Sequence, residues 1–279
     1  MNKNIIAFQG ALGANSDMAC RNAFPEMKTL PCPTFSDTFS AIKRGHSQLA
    51  MIPIENSVAG RVADIHRLLP ESGLHIIGEH FLRVNFHLFA VEGATLESIT
   101  HVHSHLHALP QCSKFIEKWK LQPVVHADTA GAAQDVAKWK DPTQGAISTS
   151  LAGNLYNLAN LATDIENTEH NTTRFLIMSQ DPKVPKASVS DVMTTFVFHV
   201  RNIPAALYKA LGGFATNGVN MTKLESYIRG DFVAAQFYAD VEGHPDSVNL
   251  GNALEELKFF THSIEILGTY PAHPYRKTR

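Results

Sequence analysis

Residues 171–175 (NTTRF) bring together an amide, two hydroxyls and a guanidinium. They lead into a short apolar run, 175–178, that predicts a buried strand. A strand entrance can hold side chains rigidly while leaving them open to a cleft. Arg174 offers a planar fork for a carboxylate, and Thr173 offers a small hydrogen-bond donor beside it. We interpret this stretch as a candidate catalytic and anion-binding site; the alternative is an ordinary polar loop before an edge strand.

A second polar cluster follows the apolar run at residues 48–54, which predicts another buried strand. Glu55, Asn56 and Ser57 end this run, and a helix is predicted to begin near Gly60. Ligands of open α/β sheets bind beyond the carboxyl ends of the strands, so Asn56 and Ser57 are candidate binding residues. In the plainer interpretation Ser57 caps the helix and Asn56 makes a turn, but capping leaves the Glu55-Asn56 pair without a role.

The N-terminal segment offers a third candidate site, where a strand passes into a helix. A strand predicted at 4–8 is followed by Gly10, Gly13 and a helix predicted at 16–24. The lysine of a Walker loop and the third glycine of a dinucleotide fingerprint are both missing. The segment indicates either a helix N-terminus that presents Ser16 and backbone N–H groups to an anion, or a tight turn.

Four histidines alternate along residues 99–107, a pattern that first suggests a metal site. They are His101, His103, His105 and His107. On a strand they would share one face in a line instead of converging tetrahedrally, so we predict no metal. Ser104 and Gln111 flank the passage from this strand into the next helix and are predicted to face one cleft. Cys112 has no base beside it and is predicted to be a buried apolar residue.

Strands and helices alternate along the first 178 residues, which indicates an α/β fold. The pattern passes from strand to helix at 124–133 and at 145–158, and a short strand is predicted at 161–165. After a linker at 180–190 the order becomes strand, helix, two strands, helix and strand. These later elements are predicted at 194–201, 204–217, 219–228, 232–241, 246–260 and 263–270, with a turn at 229–231.

Composition excludes several classes of protein. The 279 residues carry a formal net charge of −2 and no run of Lys or Arg, which argues against binding to nucleic acid. No stretch resembles a secretory signal or reaches the length of a membrane span, so we expect a cytoplasmic protein with no membrane partner. Three widely spaced cysteines do not form a disulfide framework.

Taken in order, these motifs resemble the prephenate dehydratase family. The motifs are 53–57 (PIENS) with Gly60, Ser104-His105 with Gln111-Cys112, Thr129 with Ala132-Ala133, and Asn171 with 173–175 (TRF). The resemblance implies a catalytic domain at 1–179 with the two-lobed α/β fold of a type II periplasmic binding protein. One lobe would take about 1–78 and 166–179, and the other about 79–165, with the site in the cleft.

The resemblance also implies the chemistry. Prephenate loses CO2 and its ring hydroxyl together to give phenylpyruvate, and no cofactor is needed because aromatisation drives the reaction. Thr173 would donate a hydrogen bond to the departing oxygen, while Arg174 either binds a carboxylate or pairs with Glu55 or Glu166. The implied catalytic residues are Thr173, Arg174, Asn56, Ser104 and Gln111. The implied substrate-binding residues are Ser57, Thr129, Asn171, Phe175 and Glu55.

Residues 191–279, in the order βαββαβ, resemble the ACT regulatory domain, which is ferredoxin-like and α+β. L-phenylalanine is the effector that the resemblance implies, and a homodimer or homotetramer is the expected assembly. The implied effector residues are Ala205, Ala206, Leu207, Asn220, Met221, Leu224, Glu225 and Ser226. Ala205 replaces the family's glycine, and Tyr227-Ile228 replaces a frequent Arg-Pro, so binding would be weaker if the glycine needs a positive φ. Alternatively, this region is a dimerisation module that binds nothing.

Two further functions stay open. Arogenate dehydratase would use the same scaffold on a substrate with an amine in place of the keto group, but the sequence offers no clear carboxylate for that ammonium. A non-catalytic amino-acid sensor would combine a binding-protein fold with an ACT domain; loss of Thr173 or Arg174 would favour it, and both are present.

Overall fold

The computed structural model describes residues 4–227 and 236–278, and it divides into two compact units. The first unit contains Met1–Arg61 and Phe81–Phe175, and the second contains Val62–His80 and Leu176–Arg279. The predicted turn at 229–231 and the predicted effect of Ile228 lie outside the described residues. Within the described residues, no helix is both long and apolar enough to cross a membrane.

The first of three sheets is built around parallel strands. Its strands are β1 (Ile5–Gln9), β2 (Lys28–Cys32), β3 (Leu49–Asn56), β4 (Gly60–Arg61), β5 (His75–Arg83) and β11 (Thr172–Ser179). The order is β2-β1-β3-β11-β5, with β4 paired to β3. The helices between them are α1 (Asn15–Ala23), α2 (Phe35–Lys43) and α3 (Ala63–Glu71). All eight residues of β11 are buried, as the apolar run at 175–178 predicts.

The second sheet lies wholly within the first unit. Its strands are β6 (His87–Ala90), β7 (His101–His105), β8 (Gln122–His126), β9 (Gln144–Ser148) and β10 (Ala159–Ala162), in the order β10-β6-β9-β7-β8. Its helices are α4 (Ser113–Lys118), α5 (Thr129–Trp139) and α6 (Ser150–Leu155). Cys112 is fully buried in the core beneath this sheet, as predicted, and burial raises the pKa of its thiol.

The third sheet belongs to the second unit and is antiparallel. Strands β12 (Val192–Val200), β13 (Met221–Tyr227), β14 (Gln236–Glu242) and β15 (Thr261–Pro271) pair in the order β13-β14-β12-β15. Helices α7 (Ala206–Thr216) and α8 (Val248–Phe260) pack against its apolar face, where Phe196 and Phe214 stack with ring centroids 5.8 Å apart. The predicted order βαββαβ is confirmed.

Three predicted boundaries are wrong for local physical reasons. The helix expected near Gly60 begins at Ala63, because residues 60–61 pair back onto β3 as β4. The helix expected from residue 204 begins at Ala206, because Ala205 adopts a left-handed backbone conformation. The strand that carries the four histidines ends at His105, so His107 lies in the following turn and the four do not share one strand face.

Candidate active site

A cleft of about 280 Å³ opens within the first unit and gathers most of the predicted site residues. Residues from around both sheets of this unit line it. They are Gln9, Gly10, Ala14, Asn15, Ser16, Asn56, Ala59, Val84, Phe86, His105, His107, Ala108, Gln111, Ala127, Asp128, Thr129, Asn171 and Thr173. The sequence motifs that end β3, precede α4, begin α5 and enter β11 therefore meet at one place, as ligand sites of open α/β sheets do.

The side chain of Asn56 orients other polar side chains of the cleft through its hydrogen bonds. Its Oδ1 accepts the backbone N–H groups of Val58 (2.9 Å) and Ala59 (2.7 Å). These two donors fix the amide, so its Nδ2 must be the donating end. That Nδ2 donates to Asn171 Oδ1 (2.8 Å) and to Thr173 Oγ1 (2.9 Å).

The amide chain continues in the same direction towards the second sheet. Asn171 Nδ2 donates to Gln111 Oε1 at 2.6 Å, and Gln111 Nε2 donates to the carbonyl oxygen of His107 at 2.7 Å. Every bond runs from donor to acceptor away from the Asn56 turn, an arrangement in which neighbouring hydrogen bonds polarise one another. Asn171 is buried, so its two partners also satisfy polar atoms that water cannot reach.

Thr173 is left with a hydrogen to donate. Its oxygen already accepts from Asn56, and among the described residues nothing accepts the hydrogen of its hydroxyl. The residue lines the cleft and is only 9% exposed. A hydroxyl polarised in this way is a stronger donor than a solvated threonine, and it lines the cleft.

Arg174 and Phe175, the next two residues, do not line the cleft. Arg174 has a buried side chain, and its Nη1 lies 3.1 Å from Glu55 Oε1. Of the two predicted fates of this guanidinium, the pairing with Glu55 is the one observed. Phe175 is buried in the core. Their assignment as substrate-contacting residues stays a prediction that this geometry does not support.

Ser57 holds the loop before β11 in place through hydrogen bonds. Its hydroxyl donates to the carbonyl oxygen of His170 (2.7 Å) and accepts from the N–H of Thr172 (2.9 Å). Its backbone N–H donates to the carbonyl oxygen of Thr172 (2.9 Å). Ser57 therefore positions Thr173 without lining the cleft, and it does not cap the helix that follows.

Ser104, predicted to face the cleft with Gln111, points elsewhere. It is fully buried on β7, and its hydroxyl donates to the carbonyl oxygen of Ile147 at 2.6 Å. That carbonyl belongs to the neighbouring strand β9, so the Ser104 hydroxyl links two strands of the second sheet. Its predicted catalytic role lacks support, whereas Gln111 lines the cleft as predicted.

Two helix N-termini also border the cleft. Ser16 lies in the first turn of α1, and Thr129 is the first residue of α5. Helix N-termini carry partial positive charge and free N–H groups, which suits them to carboxylates. Asp128 caps α5 by accepting the N–H of Gly131 at 2.6 Å, and of the described residues that line the cleft it is the only one with a carboxylate.

Sequence reasoning missed three ionisable residues of the cleft, namely His105, His107 and Asp128. The sequence presents His105 as part of a family motif and His107 as a possible metal ligand, and Asp128 lies inside the predicted passage from strand to helix at 124–133. Pro110, three residues after His107, indicates that the strand has ended by then, and this signal argues against four histidines on one strand face. Among the described residues, no group of three potential ligands is arranged to hold a metal.

A second cavity lies in the second unit, at the start of α7. Of the predicted effector residues, Ala205, Ala206, Leu207 and Ser226 line it, together with residues such as Arg201 and Phe237. The other predicted effector residues do not line it; they are Asn220, Met221, Leu224 and Glu225. Ala205 has φ 59° and ψ 24°, a left-handed conformation that glycine adopts without cost.

Comparison with known proteins gives one consistent family. A family model described as prephenate dehydratase matches residues 6–183. A bifunctional N-acyl-homoserine lactone acylase/prephenate dehydratase of Komagataeibacter europaeus is 51% identical over 99% of this chain and 98% of its own length. An arogenate dehydratase/prephenate dehydratase of Arabidopsis thaliana is 36% identical over 95% of this chain and 71% of its own.

Solved structures agree with the sequence matches. GqqA, described as a novel type of quorum quenching acylase, superposes with a TM-score of 0.93 at 51% identity over 98% of this chain and 100% of its own. A prephenate dehydratase from Arthrobacter aurescens in complex with L-Phe gives a TM-score of 0.87 at 28% identity over 96% of this chain and 90% of its own. The predicted fold class, a two-lobed α/β catalytic part followed by an ACT domain, is confirmed.

Proposed function

The chain belongs to the prephenate dehydratase family, whose members are carbon–oxygen lyases, and we propose that it converts prephenate to phenylpyruvate. The observation that carries this proposal is the hydroxyl of Thr173, whose oxygen accepts from Asn56 while its hydrogen is left for a ligand. The reaction needs two things from the protein: a fixed orientation of the dianion and help for the departing hydroxide.

Thr173 supplies the second of these. As the ring C–O bond breaks, negative charge grows on the leaving oxygen, and a hydrogen bond from Thr173 strengthens in step with it. The ring carboxylate leaves as CO2, its C–C electron pair enters the ring, and the hydroxide takes up a proton to become water. A threonine hydroxyl is a weak acid at neutral pH, so it acts by hydrogen bonding, and solvent supplies the proton.

The experiment measures phenylpyruvate formation from prephenate, with no added metal, and phenylalanine formation from arogenate, on the same preparation. We expect turnover of prephenate with the larger kcat/KM. Faster turnover of arogenate would instead identify the chain as an arogenate dehydratase. Asp128 in the cleft favours this alternative, because its carboxylate can pair with the ammonium of arogenate. No turnover of either would leave an amino-acid sensor.

We further propose that L-phenylalanine binds in the second cavity. The relative from Arthrobacter aurescens is described in complex with L-Phe, and Ala205, Ala206, Leu207 and Ser226 of the predicted effector motifs line this cavity. Binding to the folded state would raise the melting temperature with ligand concentration. A thermal shift with L-Phe and none with L-aspartate is the expected result. Light scattering at the same concentrations distinguishes the two expected assemblies, a dimer and a tetramer.

A second activity, hydrolysis of N-acyl-homoserine lactones, is favoured by the bifunctional name of the relative that is 51% identical. Amide hydrolysis needs a base that takes a proton from the attacking water and a donor that returns one to the leaving amine. His107 is exposed in the cleft wall, and no described residue bonds to its ring nitrogens. We propose that it is this base. Release of homoserine lactone by wild type, abolished in His107→Gln, is the expected outcome.

A further inference from the structure

The proposed substrate carries two carboxylates, yet the described residues that line the cleft include no lysine and no arginine. Arg174, the guanidinium closest in sequence to the catalytic threonine, pairs with Glu55 outside the lining. An anion in this cleft must therefore be met by neutral hydrogen-bond donors, by helix N-termini or by imidazole.

His105 has one ring nitrogen committed and the other available. The backbone N–H of His107 donates to its Nδ1 at 3.3 Å. Because an N–H points at Nδ1, that nitrogen must be an acceptor, and the ring hydrogen resides on Nε2. Among the described residues, no acceptor bonds to this Nε2–H. Burial and the neighbouring His107 lower the pKa of His105, with Asp128 opposing them, which keeps the ring a neutral donor at pH 7.

We propose that His105 binds the side-chain carboxylate of prephenate through Nε2–H, an inference that rests on the dehydratase function proposed above. The choice between the two carboxylates follows from the reaction. The ring carboxylate becomes neutral CO2, so a donor held on it would stabilise the ground state more than the transition state and would slow the reaction. The side-chain carboxylate keeps its charge throughout, so a donor held there orients the substrate without that penalty.

The segment around His105 is also tied to the Thr173 side of the cleft. The carbonyl of His107 accepts from Gln111, which is linked through Asn171 to Asn56 and so to Thr173. The donor for the leaving oxygen and the donor for the retained carboxylate are therefore fixed on one hydrogen-bonded frame. This arrangement sets the distance between the two ends of the substrate.

The test uses the full-length protein and compares His105→Ala and His105→Phe with wild type. Losing a hydrogen bond to a charged group should raise the KM for prephenate roughly 10- to 100-fold, with kcat changed much less. Phenylpyruvate retains the side-chain carboxylate and lacks the ring one, so its inhibition constant should rise by the same factor. His101→Gln, on the same strand but outside the cleft, is the matched control and should match wild type.

Other results of these measurements would contradict the proposed role of His105. A rise in KM with an unchanged inhibition constant for phenylpyruvate would place His105 on the ring carboxylate and overturn the proposal. A fall in kcat with unchanged KM would overturn it as well, in favour of a role in the chemical step. If His105→Ala lowers the melting temperature, the result for His105→Phe, which keeps an aromatic ring and lacks the ring nitrogens, decides. Wild type that is inert on prephenate would refute the dehydratase function itself, independently of His105.

Discussion

In the candidate active-site cleft, polar side chains are hydrogen-bonded to one another, whereas the cavity at Ala205 lies at a left-handed turn and is lined mainly by apolar side chains. Asn56, Asn171, Gln111 and Thr173 form one directed set of hydrogen bonds. The second cavity instead depends on the left-handed turn before α7. The two regions therefore differ in which substitutions they tolerate. Replacing a hydrogen-bond donor of the network by an acceptor breaks the network, whereas replacing Ala205 by glycine relieves the strain of the turn.

The largest effect short of the catalytic hydroxyl is expected from Asn56→Asp. A carboxylate in this position still accepts from Val58 and Ala59, but it cannot donate to Thr173 and draws the Thr173 hydrogen towards itself. We expect kcat on prephenate to fall about 100-fold, the range of one oxyanion donor. Asn154→Asp, an exposed site on α6, makes the same change in charge and should leave kcat within twofold. Equal activity of both variants would contradict the directed network.

Glu55→Gln tests whether Arg174 is structural. The Arg174 side chain is only 3% exposed, and its Nη1 lies 3.1 Å from Glu55 Oε1, so the substitution removes the charge from one hydrogen bond of a buried guanidinium. We expect a loss of about 2 kcal/mol in the free energy of unfolding, measured by urea denaturation. If Arg174 binds substrate instead, Arg174→Met would raise the KM at least tenfold and Glu55→Gln would barely change stability.

Ala205→Gly tests whether the left-handed turn before α7 is strained. A non-glycine residue in the left-handed region carries a penalty of about 1 kcal/mol, which glycine removes. We expect the melting temperature to rise by a few degrees. Ala210→Gly, in the interior of α7, is the matched control and should lower it, because glycine destabilises a helix and a buried methyl is lost. A fall with both substitutions would mean that the turn is not strained.

The smallest effect concerns the second effector motif. Ser226 lines the second cavity, whereas Glu225 does not and pairs with Lys223 at 3.1 Å. We expect Ser226→Ala to weaken L-Phe binding by about fivefold in calorimetry, the loss of one hydrogen bond, and Glu225→Gln to leave it unchanged. If Glu225→Gln weakens L-Phe binding more than Ser226→Ala does, the effector site lies at a different position along β13.

Sequence reasoning predicted the fold well because its signals are local. The apolar run that becomes β11, the polar residues at its entrance and the order βαββαβ all follow from periodicity and turn residues. The same local signals predict the positions of Asn56 at the end of β3, of Asn171 and Thr173 at the entrance of β11, and of Gln111 between β7 and α4.

The errors lie where a side chain's direction depends on distant residues. Ser104 points to the carbonyl of Ile147 because β9 is its neighbour, and strand order is not written in the local pattern. His105 and His107 reach the cleft because β7 ends between them, so a strand-face argument could not apply. The left-handed conformation of Ala205 contradicts the preference of alanine, so the residue type could not predict it.

The central claim is that the hydroxyl of Thr173 donates a hydrogen bond to the departing oxygen. Thr173→Val keeps the shape and removes the hydroxyl, and Thr173→Ser keeps the hydroxyl; kcat for phenylpyruvate formation should be measured for both beside wild type. We predict that the valine variant loses at least about 100-fold in kcat while folding normally by circular dichroism, and that the serine variant stays within about tenfold of wild type. A valine variant within threefold of wild type would contradict the account.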